Sequence, residues 1–185
     1  MKDKFIKSQD TSVPVSNSRG EIEKILRRYG ASGISVQQTF DAKNLPELVT
    51  VSFIVPDKVG STQKVPVSLP INVKHVYDAL YGQPMTSKWD SELRTTIRRY
   101  NPNGYDEKQV AQAERVAWRN LVLWIDAALS AAAVGLQRIT EAFYAHTVIQ
   151  LEGGGQARLA DYLERAQGQL APGIRALLAA PAEEE

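Results

Sequence analysis

Leu48-Val49-Thr50-Val51-Ser52-Phe53-Ile54-Val55, then a loop from Asp57 to Ser61 containing Gly60, then Gln63-Lys64-Val65-Pro66-Val67-Ser68-Leu69, is the stretch that decides the fold. Side chains on a strand alternate between its two faces. Val49, Val51, Phe53 and Val55 therefore share one apolar face, and Val65, Val67 and Leu69 share another. Two alternating runs joined by a short glycine-containing loop read as an antiparallel hairpin. A proline cannot donate to a strand ladder, so Pro66 places its strand at an edge or at a bulge.

Upstream, Gly33 to Phe40 alternates more weakly through Ile34, Val36 and Gln38, giving a third strand. Before it, Ile22, Ile25, Leu26 and Tyr29 recur at helical spacing, with Glu23, Lys24, Arg27 and Arg28 on the opposite side. Ser18 and Glu21 read as a capping box at the start of this helix, and Gly30 closes it. A helix followed by a three-stranded meander buries the sheet by laying the helix across one face. The expected fold class is α+β: a small antiparallel sheet of about three strands covered by the N-terminal helix, plus a helical half.

That helical half begins at Asn72, which caps a short helix with Val73, Val76, Tyr77 and Leu80 inward and Gly82 as terminator. A second helix is expected from Ser87, burying Trp89, Leu93 and Ile97 and exposing Asp90, Arg94 and Arg98 as a charged ladder. Asn101-Pro102-Asn103-Gly104 breaks it. A long helix then spans about Asp106 to Val134. One seam runs through Val110, Ala113, Ala117, Leu121, Trp124, Ala128 and Ala131. A second, through Trp118, Val122, Ile125, Leu129, Ala132 and Leu136, appears only in its second half. That half is expected to be covered on two sides, by the rest of the core or by a second protomer, which makes Trp118, Val122, Ile125 and Leu129 candidate interface residues.

Ile139 to Leu151 is open between short helix and strand, and Gly153 to Gly155 reads as a flexible loop. A helix over 157–167 is expected to bury Leu159, Tyr162 and Leu163, and Pro172 to open a last one with Ile174, Leu177 and Leu178. The expected organisation is a flexible arm over 1–17, a single domain over 18–180 and a disordered acidic tail over 181–185.

Composition narrows the function classes. Of 185 residues, 43% are hydrophobic, enough for a substantial core. Cysteine is absent, which excludes disulfides and thiolate metal sites. With 22 basic and 21 acidic residues and a pI near 7.9, no global basic field exists. The start, Met1 to Lys7, is charged and lacks the apolar run of a signal peptide. Leu121 to Leu136, the best membrane candidate, contains Asp126 and is shorter than the ~20 residues a span needs.

Two segments are similar to a protein family, of unassigned activity, encoded by tailed bacteriophages and integrated mobile elements. The first runs from Thr11-Ser12-Val13-Pro14-Val15 through Ser18-Arg19, Glu21-Ile22-Glu23 and Leu26 to Arg28-Tyr29-Gly30. The second runs from Trp118-Arg119 through Leu121, Ile125, Leu129, Gly135, Glu141 and Phe143 to Ala145-His146. The chain departs from that pattern at Asp126, Ala128 and Ser130, where similar proteins carry lysine and glutamate, and between Gln150 and Gly155, which is enlarged. The resemblance implies a bacterial cytoplasmic setting among DNA-processing functions, and no catalytic residues.

Local chemistry offers three classes of function. Arg27-Arg28-Tyr29 and Arg98-Arg99-Tyr100 each pair two guanidinium groups with a tyrosine, and Arg94 lies one turn before the second set. Arginine grips phosphate bidentately and tyrosine stacks on unpaired bases, so the two clusters, if brought together, make a nucleic-acid face. The same residues at helix ends also serve the helix macrodipole. A second class is an oligomeric adaptor or inhibitor of a protein partner, such as a host defence component. A third is an enzyme using His146, near Glu141 and Thr147, or His75, three residues before Asp78. Nucleophile elbows, phosphate-binding loops and zinc spacings are missing from the sequence, and neither metal nor cofactor is expected. The leading expectation is a non-enzymatic accessory protein of phage or mobile-element DNA metabolism.

Overall fold

A computed structural model describes residues 6–58, 61–90, 94–151 and 154–166. Its centre is the expected meander. β1 (Ser32–Phe40), β2 (Pro46–Pro56) and β3 (Lys64–Asn72) form one antiparallel sheet in that order. The register sets Val51 opposite Val36 on one side and Leu69 on the other, and Phe53 opposite Val67. Val49, Val51, Phe53 and Val55 of β2 and Val65, Val67 and Leu69 of β3 are all buried. Pro66 sits on edge strand β3, as its missing N–H requires.

α1 (Val15–Arg28) and α3 (Glu107–Ala133) close over the inner sheet face. Ile22, Ile25 and Leu26 of α1 join Val110, Trp118, Ile125 and Leu129 of α3 in a single core with Val49, Val51 and Phe53. The N-terminal helix therefore shares its covering role with the long one. Phe53 meets Phe143 edge-to-face at 5.7 Å, and Phe143 meets Trp124 at 5.3 Å. α2 (Val73–Tyr81) opens as expected, with the Asn72 side chain accepting from the His75 amide at 3.1 Å.

α1 starts a turn earlier than its capping signal suggests. Pro14 is its N-cap, and the Pro14 carbonyl accepts from the amides of Asn17 and Ser18. Ser18 lies inside the helix, fully buried, and Glu21 reaches across to Arg119 at 2.5 Å. No capping box forms. Gly30 ends the helix as expected, at φ 77°, a left-handed conformation that favours glycine. Residues 6–17 of the arm expected over 1–17 run against the body. Val15 to Asn17 are helical, the Gln112 side chain donates to the carbonyls of Gln9 and Thr11, and that of Asn120 donates to Lys7.

The largest correction lies between α2 and α3. The helix expected from Ser87 is instead a two-stranded ribbon, β4 (Met85–Asp90) paired with β5 (Thr95–Tyr100). Trp89, expected in the core, is 62% exposed, and Ile97 is half-buried; Leu93 lies outside the described residues. The β-branched run Thr95-Thr96-Ile97 favours a pleated backbone.

Beyond α3 the chain forms α4 (Ile139–Ala142), a 3-10 turn (Tyr144–His146) and a small ribbon of β6 (Val148–Gln150) with β7 (Gln156–Arg158), ending in α5 (Leu159–Ala166). The stretch left open between helix and strand thus contains both. Leu159 is buried, while Tyr162 and Leu163 are half-buried. The helix expected after Pro172 and the tail over 181–185 lie outside the described residues. Among the described residues, no helix is long and apolar enough to cross a membrane.

The difference between ribbon and helix is measurable. Phe53→Ala should lower unfolding stability by about 3–5 kcal/mol, as for a large core aromatic. Trp89→Ala should change it by less than about 0.5 kcal/mol, as for a surface side chain. Urea unfolding at neutral pH distinguishes them; a loss at Trp89 comparable to that at Phe53 would restore the helical reading.

Candidate nucleic-acid interface

The ribbon β4–β5 has two unlike faces. Residues opposite one another across an antiparallel pair share a face. Met85 pairs with Tyr100, Ser87 with Arg98 and Trp89 with Thr96, so Tyr100, Arg98 and Trp89 line one side. Thr86 with Arg99, and Lys88 with Ile97, line the other. Trp89, Tyr100 and Met85 are 62%, 50% and 48% exposed, and Lys88, Arg94, Arg98 and Arg99 are all exposed. Across 85–100 the sequence carries four basic and two acidic side chains, an excess larger than the net +1 of the whole chain.

The base of this ribbon is firmly built. The Asn101 amide donates to the Pro84 carbonyl at 2.9 Å, closing the ring where the two strands leave the body. The hydroxyls of Tyr100 and Tyr105 share a hydrogen bond of 3.1 Å, and Tyr105 donates to Asp78 at 3.5 Å. Burial, with Tyr100 and Asp78 beside it, pushes the Tyr105 phenol well above its ordinary pKa. Tyr77 packs edge-on against both Tyr105 and Tyr81 and donates to Gln109 at 2.7 Å. Gly104 is required here by contact: a Cβ would lie 2.9 Å from Pro84 Cβ and 3.2 Å from the Asn101 carbonyl oxygen.

A charged knot braces the same end of the molecule. Lys74 Nζ lies 3.2 Å from Asp41 and 3.1 Å from Glu47, and 5.3 Å from the centre of the Tyr105 ring. Asp41 also accepts from the amides of Lys43 and Leu45, capping the β1–β2 turn. Burial pushes its carboxyl up, but those two amides and Lys74 outweigh burial and hold it below the usual carboxylate range. Lys43 donates to the Asn103 carbonyl, tying the turn to the foot of the ribbon. Nothing in the sequence pattern points to this cluster, because its members come from three elements.

The other arginine cluster lies elsewhere. Tyr29 is half-buried, and its hydroxyl bonds Ser130 at 3.3 Å, near the C-terminal end of α3. Tyr100 is anchored at Tyr105, one residue before that helix's N-cap. At 1.5 Å per residue, the intervening stretch of α3 spans ~37 Å. Arg27 is held by Glu23 at 2.6 Å, whereas Arg28 is exposed. The single face expected from Arg27, Arg28, Tyr29, Arg94, Arg98, Arg99 and Tyr100 together does not form. Only the second set, on the ribbon, combines exposed cations with exposed rings.

The candidate interface residues of α3 have their partners within the chain. Trp118, Val122, Ile125 and Leu129 are each at most 1% exposed and belong to the core. No second protomer is needed to cover them. Leu136, the end of that seam, lies past the helix and is 80% exposed.

Neither histidine acquires a carboxylate partner at hydrogen-bond distance among the described residues. His75 is exposed, and Asp78 receives Tyr105 instead. Glu141 accepts from the Arg138 amide at 2.8 Å, and the Thr147 hydroxyl donates to the Phe143 carbonyl at 3.2 Å. His146 packs edge-on against Trp124 at 5.6 Å, and its buried Nδ1 has no hydrogen-bond partner. Burial first, and the neighbouring Arg158 second, lower its pKa, with Asp161 acting in the opposite direction. Among the described residues no cluster of three or more His, Asp or Glu could hold a metal ion.

No protein-family model matches this chain, and no curated protein and no solved structure is significantly similar to it.

The state of His146 is open to direct titration. Its folded pKa lies below the unfolded value of 6.5, so the stability of the neutral ring is present above that pH and is lost as pH falls through the folded value. The NMR titration of its ring protons should give a midpoint below 6.5. A midpoint above 6.5 would mean that a carboxylate has engaged the ring.

Proposed function

We propose that this protein contacts nucleic acid through the β4–β5 ribbon, acting as a non-enzymatic accessory factor. The observation that carries the proposal is the line Tyr100–Arg98–Trp89 on one exposed face, backed by Lys88 and Arg99 on the other. Unpaired bases stack on aromatic rings whatever their identity, and a guanidinium between two rings meets the phosphate that links the stacked bases. The spacing suits a single strand: residues two apart on β5 and their neighbours on β4 repeat at ~6–7 Å, the distance over which an extended nucleotide backbone advances. Exposed side chains stand on both faces of the ribbon, Trp89, Arg98 and Tyr100 on one and Lys88 and Arg99 on the other. Arg27, Arg28 and Tyr29 belong to the remote end and lie outside this interface.

We place this contact within the DNA metabolism of a phage or mobile element, on the resemblance read from segments 11–30 and 118–146 of the sequence alone. Neither segment includes the ribbon, so the two lines of support are separate.

Fluorescence anisotropy with a labelled oligothymidine, at low and then at moderate salt, tests the reading. Binding should weaken steeply as salt rises. Trp89→Ala and Arg98→Ala should each weaken it by at least about five-fold, the lower end of what a stacking or phosphate contact contributes, and Arg27→Ala should leave it within two-fold of the parent. An absence of uptake at low ionic strength, or ribbon variants that bind like the parent, would overturn it. Preference for a duplex of equal length would move the contact from stacking to groove insertion, and so against this reading.

A further inference from the structure

The two edges of the central sheet are treated differently. An unpaired edge strand invites pairing with another chain, and proteins normally blunt such edges with proline, charge or cover. β3 is blunted by Pro66 and Pro70 and by a bridge from Val67 to Thr147. β1 has none of these devices along its regular part. Its nine residues, Ser32 to Phe40, include no charge and no proline, and among the described residues it pairs with β2 alone.

Beside that open edge lies a cleft of about 570 Å³, walled on one side by α1 and on the other by β1. Two features of the cleft, floored by the buried Trp118 indole, point to an occupant. Arg19 stands 5.7 Å above the Trp118 ring and makes no ion pair among the described residues, whereas Arg27 along the same wall is neutralised by Glu23. Gly20 occupies the interior of α1, where glycine is costly, although a Cβ there would meet no atom within 4 Å. Its lack of a side chain keeps the helix wall recessed where the cleft is.

A helix lying alongside an unpaired strand is the arrangement in which an extended peptide is captured, its backbone bonding the strand and its alternate side chains entering the groove. We propose that this cleft binds an extended acidic peptide segment of a partner protein, which adds to β1 as a fourth strand and sets a carboxylate against Arg19. The charge follows from the walls, where Arg19 is the unneutralised side chain and β1 contributes no charge. The alternation follows from β1 itself, whose Ile34 and Val36 are half-buried toward the cleft while Ser35 and Gln37 face away. This surface is independent of the ribbon, and either can fail without the other.

The test is selection from a random twelve-residue displayed peptide library on the full chain, followed by anisotropy with the enriched peptide. The enriched sequences should lack proline, alternate apolar and polar residues, and carry Asp or Glu. N-methylation of alternate backbone amides should weaken binding more than ten-fold, because it removes strand hydrogen bonds and leaves the side chains in place. Gly20→Leu, which fills the cleft, should weaken it at least ten-fold with an unfolding midpoint no lower than the parent's, since leucine suits a helix interior better than glycine. Should that variant fold poorly, the exposed Arg19→Glu should show the same loss. Enrichment of sequences without alternation, or equal binding of the N-methylated peptide, would overturn the proposal. So would a parent that is dimeric in solution and becomes monomeric on Gly20→Leu, since a second copy would then be the occupant.

Discussion

α3 is the element on which every other position depends. Its inward residues Val110, Ala113, Trp118, Val122, Ile125 and Leu129 run along the sheet and α1, so one rigid rod of 27 residues defines the long dimension of the core. A helix that long fixes its two ends ~40 Å apart. One end receives the Tyr29 hydroxyl of α1; the other follows directly on Tyr105 and the foot of the ribbon. The two arginine–tyrosine clusters could form one local surface only if this rod were shorter or broken.

Polar groups reinforce the ends, while apolar contacts hold the middle. At the ribbon end, Lys74 is shared between Asp41 and Glu47, its charged form favoured by both carboxylates despite burial. The same knot touches Tyr105, whose ring packs on Tyr77. At the far end, Asp57 is 7% exposed and accepts from the Thr140 hydroxyl at 2.7 Å, pinning α4 against the β2–β3 loop. In the middle, the buried polar atoms Ser18 Oγ and Trp118 Nε1 have no partner. Unpaired buried donors are rare because each forfeits its hydration.

Much of the fold was legible in the sequence because its signals are local. The alternation at Val49, Val51, Phe53 and Val55, the proline at 66, the cap at Asn72 and the seams of α3 each depend on residues a few positions apart. What was missed depends on long-range competition. Trp89, Leu93 and Ile97 fit a helical stripe as well as they fit a strand, and the choice is made by cross-strand pairing of 85–90 with 95–100, which periodicity does not encode. Ser18 and Glu21 have capping spacing, yet Pro14 starts the helix first and Arg119 claims the carboxylate. The second seam of α3 is buried at Trp118, Val122, Ile125 and Leu129, but Leu136 is exposed, and so is Trp124 of the first seam; that the cover comes from the chain itself could not be read from periodicity. For the candidate site, residue types were legible and their placement was not. Arg98, Arg99 and Tyr100 remain together because they are adjacent in sequence, whereas their union with Arg27, Arg28 and Tyr29 required the separation of two ends of a helix.

The functional reading thus rests on one ribbon standing apart from the other basic cluster, and that separation is directly measurable. The chain has no cysteine, so spin labels can be placed cleanly at Arg28→Cys and Arg99→Cys. Electron–electron resonance should return a single distance on the order of 30 Å or more, set by the length of α3 between the two anchor points. A dominant distance under ~20 Å would contradict the account, because it would bring both arginine clusters onto one surface that no straight helix of this length permits.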